Sequence, residues 1–147
     1  MATQHAIDKA AIGQRIDELI EAVRAMDLES LKPIFAPDIV TFDVGPPLQR
    51  VGAEAKWGNW VDAFAAFQRP LGYEIRDLTI TLDGNLAFSH GFGRLSGTLK
   101  NGNRTDGFWV RWTACFQKVD GNWLIAHDHV SVPLDVETGR ALLNLVP

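Results

Sequence analysis

A few polar side chains are set into apolar stretches of this chain, and each could do chemistry there. Asp43 follows the run Ile39-Val40-Thr41-Phe42 and precedes the stiff Gly45-Pro46-Pro47. A carboxylate in such a place is costly unless it is paired or used, and general acid–base work is the use that fits it. Arg111, His127, Asp128 and His129 lie within GFWVRWTACFQKVDGNWLIAHDHVSVP, residues Gly107 to Pro133. On a strand, H-x-H puts both imidazoles on one face about 7 Å apart, a spacing metal sites use. His90 or Asp43 would have to complete such a site. No glutamate follows the pair within a few residues, and strand alternation turns His90 the other way unless a bulge intervenes. No metal or other cofactor is expected, and the histidines read as satisfied groups at a sheet or subunit contact. Arg111 or Arg94 with Asp128 reads equally well as a structural ion pair in a half-buried sheet. Cys115 has no partner that would activate it, and Gly91-x-Gly93 lies mid-strand with no helix behind it, so it is no phosphate loop.

These residues need elements to hold them. Ile12, Ile16, Leu19, Ile20 and Val23 recur at helical spacing, which predicts a helix from about Ile7 to Met26. Asp27 is a plausible N-cap for a second helix, Leu28 to Phe35, stopped at Ala36-Pro37-Asp38. A short strand, Ile39 to Val44, leads to a third helix from Gly52 to Phe67 with the stripe Trp57, Trp60, Val61, Phe64 and Phe67. That stripe reads as core, with Trp57 at its edge and able to reach a pocket mouth. Tyr73 to Leu82 and Leu86 to Thr98 alternate as strands about Asp83-Gly84-Asn85. The second of them has Phe88, His90, Phe92 and Arg94 on one face and Ala87, Ser89, Gly91 and Gly93 on the other. The small-residue face implies close approach by another element. Two strands then flank Asp120-Gly121, the signature of a type I′ turn. That turn pairs Val119 with Asn122, and a regular ladder places Arg111 opposite Val130, Trp112 opposite His129 and Thr113 opposite Asp128. Both faces of the hairpin are apolar, so each needs cover: helices on one side and a second copy of the chain, as a homodimer, on the other. The tail forms one helical turn, Thr138 to Leu143.

At 147 residues the chain reads as one domain. A net charge of −4 disfavours nucleic acid or an anionic membrane as partner, since both want a basic surface. One cysteine allows no internal disulfide, and the charged N-terminus is neither signal peptide nor membrane span, so a cytoplasmic protein is expected.

Helix, helix, strand, helix and four further strands make an α+β layout. This order, with IVTFDVGPPLQRVGAEA and then RWTACFQKVDGNWLIAHDHVSVP, resembles the SnoaL-like and ketosteroid-isomerase-like group of the nuclear-transport-factor-2-like superfamily. The second segment also resembles the association domain of calcium/calmodulin-dependent kinase in its T, DG turn, W and HxH-x-S. The resemblance implies a cone: three helices packed in a strongly curved antiparallel sheet, with a small-molecule pocket at the open end. It also implies that Asp43 takes the place of the isomerases' general base; His90 or Arg111 would then steady the developing negative charge. Neither of the isomerases' oxyanion donors transfers, since the only tyrosine is Tyr73 and the hairpin position holds Thr113. Steroid isomerisation is therefore not expected. By the same resemblance the pocket takes Phe42, Trp57, Phe88, Phe92, Arg94, Trp109, Arg111, Thr113, Asp128 and His129 as ligand-binding residues. Such a set suits a small anionic or polar cyclic ligand. The implied activity is a cofactor-free isomerase, dehydratase or hydrolase; the alternative is a binding or assembly domain without catalysis.

Overall fold

The computed structural model describes all 147 residues. Helix α1 (Gln4–Arg24) opens on Thr3, whose hydroxyl accepts the Ala6 amide at 3.1 Å. Its buried stripe, Ile12, Ile16, Leu19 and Val23, faces the sheet. Asp27 caps α2 (Leu28–Leu31) by accepting the Ser30 amide. The predicted run to Phe35 does not continue as α-helix. Pro33 has no N–H to carry the ladder onward, and Lys32–Ile34 tightens into a 3-10 turn.

The strands are β1 (Phe35–Phe42), β2 (Arg50–Val51), β3 (Gly72–Asp83), β4 (Leu86–Thr98), β5 (Arg104–Thr105), β6 (Val110–Val119) and β7 (Asn122–Ser131). Helix α3 (Ala53–Ala65) stands between β2 and β3. The sheet runs β2-β1-β7-β6-β4-β3, with β5 on β4. The α+β cone is as expected, but the sheet is not wholly antiparallel: β1 lies parallel to β7. A long connection through most of the chain separates those two strands, so a parallel pairing is open to them. Strand β1 also starts earlier than Ile39. Ala36-Pro37-Asp38 forms an irregularity inside it, where a residue without N–H is tolerated.

The β6–β7 hairpin turns at Asp120 (φ 50°) and Gly121 (φ 83°), and Val119 pairs with Asn122. Farther up, the ladder differs from the regular one. The register shifts between Cys115 and Phe116, where Ala126 is an extra residue in β7. Arg111 therefore faces Ser131, Trp112 faces Val130 and Thr113 faces His129. The bulge keeps Trp123, Ile125 and Asp128 buried inside and sends His127 and His129 to the outer face. The close approach expected along β4 is found at Gly91, where a Cβ would lie 3.1 Å from the Arg76 carbonyl. The tail is a loop rather than a helical turn. Asp135 takes the Glu137 and Thr138 amides on its carboxylate, and Gly139 at φ 74° turns the chain back so that Leu134 bridges Ala141. No helix is long and apolar enough to cross a membrane.

Helix α1 is tied to the hairpin by Asp8, which accepts from Lys118 at 2.9 Å, Trp123 at 3.3 Å and Gln4 at 3.2 Å. The Lys118 ammonium, ahead of the opposing effect of burial, holds its carboxyl below the ordinary carboxylate range. The unfolded chain thus takes up this proton before the folded one does. Its contribution to stability is complete above the unfolded carboxyl's value and is lost as pH falls through the folded one. Asp8→Asn should therefore destabilise the protein in urea at pH 7, with a deficit that shrinks below about pH 4. A deficit that stays constant into strong acid would assign the effect to something other than ionisation.

Candidate active site

The floor of the cone holds four charges. Gly52 (φ 92°) donates its amide to the Ile39 carbonyl at 2.7 Å, which starts α3 tight against β1. One turn later Lys56 points inward and is 1% exposed. Its ammonium lies 2.8 Å from Asp43 Oδ1, 3.2 Å from Asp128 Oδ2 and 3.2 Å from Thr41 Oγ1. The Thr41 hydroxyl donates to Asp128 Oδ1, and the Trp112 indole donates to Asp128 Oδ2 at 3.4 Å. Arg50 Nε faces Asp43 Oδ2 at 3.4 Å, outside hydrogen-bond geometry, while its other nitrogens donate to the Ala55 and Pro46 carbonyls. Two carboxylates are thus matched by two cations. Without that match, burying either acid would cost several kcal/mol, on the order of the penalty for a desolvated ion.

Across the inner face of the sheet one row reads Ser89, Ala114, Asp128 and Thr41. A cavity of about 340 Å³ opens above the floor, with Asp43, Lys56 and Asp128 at its base and Phe35, Trp60, Phe67, Tyr73 and Trp112 among its walls. Of the row, Asp128 alone reaches the cavity, and Ser89 and Ala114 are fully buried. Burial, followed by the nearby Asp128 charge, pushes the Tyr73 hydroxyl above its ordinary value. It stands in the cavity as a neutral phenol. Asp43 Oδ2 is buried and accepts no hydrogen bond, its charged neighbour being Arg50 Nε at 3.4 Å.

Of the residues singled out by sequence, Asp43, Asp128 and Arg94 line this cavity. Most of the others lie elsewhere. Phe88, His90, Thr113, Arg111 and His129 sit on the outer face of the sheet, all of them exposed, and Phe92 shares their side of β4. His90, Thr113, His129 and Phe42 form one lateral row across β4, β6, β7 and β1. The Ala126 bulge explains why His90 and His129 share a face after all. Strand β6 lies between them, and two strand spacings make roughly 10 Å, too far for one ion. His127 shares a hydrogen bond with the Val40 carbonyl at 2.6 Å, and both imidazoles meet the Phe42 ring edge-on. Nowhere do three His, Cys, Asp or Glu side chains converge as a metal site would need. His90, on the outer face, is on the wrong side of the sheet to assist Asp43. Trp57 packs edge-on against Phe35, and Trp60, three residues on, takes the cavity wall in its place. Trp109 is buried beneath two guanidiniums beside the cavity rather than in it. Cys115 is on the outer face, and burial raises its thiol pKa, so it is no ready nucleophile.

Lys56 is a charge of this floor that the sequence does not single out. The apolar stripe of α3 was traced through its aromatics, and a lysine on the same face does not register in such a trace. Two signals were available. Lys56, Trp60 and Phe64 stand at i, i+4 and i+8, and an acid as enclosed as Asp43 calls for a cation nearby.

A curved sheet closed over three helices, with a polar floor under an apolar cavity, defines a cone-shaped α+β protein. The chain belongs to the SnoaL-like family, whose domain pattern matches residues 12–135. It is similar to a nuclear-transport-factor-2-like protein of unknown function from Pseudomonas putida KT2440, with 30% identity, 96% of this chain and 97% of that one covered, and a TM-score of 0.86. It is also similar in fold to a candidate dehydratase of the nuclear-transport-factor-2-like family from Streptomyces avermitilis (17% identity, 88% and 98% covered, TM-score 0.75). A third likeness is to a ketosteroid isomerase-like protein from Erwinia carotovora atroseptica SCRI1043 (20% identity, 83% and 93% covered, TM-score 0.69). No curated protein matches the chain.

Proposed function

We propose that the protein is a cofactor-free acid–base enzyme, an isomerase or dehydratase, acting on a small cyclic or carbonyl-containing metabolite. The observation that carries this reading is the state of Asp43. It lines the cavity with Oδ1 fixed by Lys56, while Oδ2 accepts no hydrogen bond and has Arg50 Nε 3.4 Å away. Oδ2 takes a proton from a carbon of the substrate, and the Lys56 ammonium keeps the rest of the carboxylate in place. Tyr73 is the neutral donor available to an oxygen on which negative charge develops. The proton is then returned to a second carbon, giving an isomer, or joins a departing hydroxide, giving water. The walls take the ring of the substrate.

A second reading has its own observation. Asp43 is paired with Lys56 at 2.8 Å, as a purely structural acid in a binding domain would be. Asp43→Asn separates the two readings, because it keeps shape and removes charge. The measurement is exchange of protons alpha to the carbonyl into heavy water, followed by NMR over a panel of cyclic ketones. The acid–base reading expects exchange by the native protein and a loss of about 10²–10⁴-fold in Asp43→Asn. It also expects a small change in melting temperature, since Lys56 retains Asp128. A large fall in melting temperature with ligand binding intact would establish the structural reading instead.

A further inference from the structure

Inside the cavity every cation is already committed. Lys56 serves Asp43 and Asp128, and Arg50 faces Asp43. At the lip the situation is the reverse. Arg94 belongs to the cavity lining, and its side chain runs past Gly107 to lie over the Trp109 ring, with its guanidinium carbon 4.7 Å from the ring centroid. Arg76 lies over the same ring at 4.6 Å. Both guanidiniums share one carboxylate: Glu74 accepts from Arg94 on one oxygen and from Arg76 on the other, each at 3.2 Å. The cluster therefore keeps one positive charge in a chain whose net charge is −4. Each guanidinium offers five N–H donors and spends one on Glu74. Trp109 is buried, and its indole nitrogen has no acceptor, so the ring serves as a platform held by packing and by the two cations. Side-chain exposures of 30% for Arg94 and 43% for Arg76 leave both forks open to solvent.

We propose that this lip is an anion-recognition site and that the ligand of the cavity is a cyclic carboxylate, its ring between the aromatic walls and its carboxylate on Arg94, the one cation of the cluster that lines the cavity. The proposal rests on the cavity being the substrate pocket and adds the chemical class of the substrate. A guanidinium already oriented by a ring and one hydrogen bond loses little freedom on binding, and its fork matches a carboxylate. An anion has no other place in the pocket for its charge, because the floor is electrically balanced.

The test uses 2-naphthoate and its uncharged counterpart 2-naphthamide, titrated calorimetrically into the full chain at low salt. The carboxylate should bind at least about tenfold more tightly than the amide. Arg94→Gln should abolish that preference by weakening the binding of the carboxylate. Equal binding of the two compounds by the native protein would overturn the anion site and leave the pocket standing. A preference that survives in Arg94→Gln would overturn the role of Arg94. Binding of neither compound would overturn this proposal together with the reading of the cavity as a pocket for small cyclic molecules.

Discussion

Lys56→Met should lower the free energy of unfolding by about 3–5 kcal/mol, the range found when one partner of a buried ion pair is removed. The lysine side chain is 2% exposed and the two aspartates facing it are 4% exposed each. Methionine fills the space of the stem between Phe35 and Trp60, so little of the loss comes from packing. What remains is two enclosed carboxylates near one another with a single cation, Arg50, poorly placed for either. Urea denaturation measures the effect. A second substitution identifies its cause: Lys56→Met combined with Asp128→Asn removes the uncompensated charge and should recover a substantial part of the loss. A cost below about 1 kcal/mol for Lys56→Met would place the ammonium outside the ion pair altogether.

Gly107→Ala is the other large effect, expected at about 2–4 kcal/mol. Gly107 has φ 67°, and a Cβ there would fall 1.8 Å from the Leu95 carbonyl oxygen and 3.6 Å from Arg94 Cγ. The substitution thus combines an unfavourable backbone conformation with a clash against a strand. Gly102→Ala is the matched control. Its φ is 90° and nothing lies within 4 Å of its Cβ position, so it carries the conformational cost alone. Denaturant midpoints for the two should differ clearly; equal costs would mean that the loop after β5 yields freely. Because Phe108 and Trp109 follow directly, Gly107→Ala should also weaken the preference for 2-naphthoate over 2-naphthamide.

The elements of the cone were legible because each has a local cause. Helix α1 shows its stripe, Asp27 its cap, and Asp120-Gly121 its turn, and all stand where the residues put them. The face of β7 was not legible. Alternation is strict only while a ladder is regular, and nothing about Ala126 marks it as the residue that breaks the count. From that residue on, every assignment to inside or outside reverses, which is why Asp128 joins Trp112 and His129 joins Thr113. Asp43 was legible for the opposite reason. Its cost depends on a run of neighbours in sequence, whereas its partner Lys56 is thirteen residues away and is brought in by the entry angle of α3.

The bulge at Ala126 bears on how this site can be inherited or altered. The last strand carries two alternative chemistries in interleaved positions, an acid at 128 and imidazoles at 127 and 129, and one peptide unit of slack selects which set meets the cavity. Smoothing the bulge with every residue kept would exchange a carboxylate floor for a histidine floor, whereas deleting Ala126 itself would leave Asp128 opposite Ala114 and facing inward. Two relatives that match residue for residue through this strand share a site only if both form the bulge.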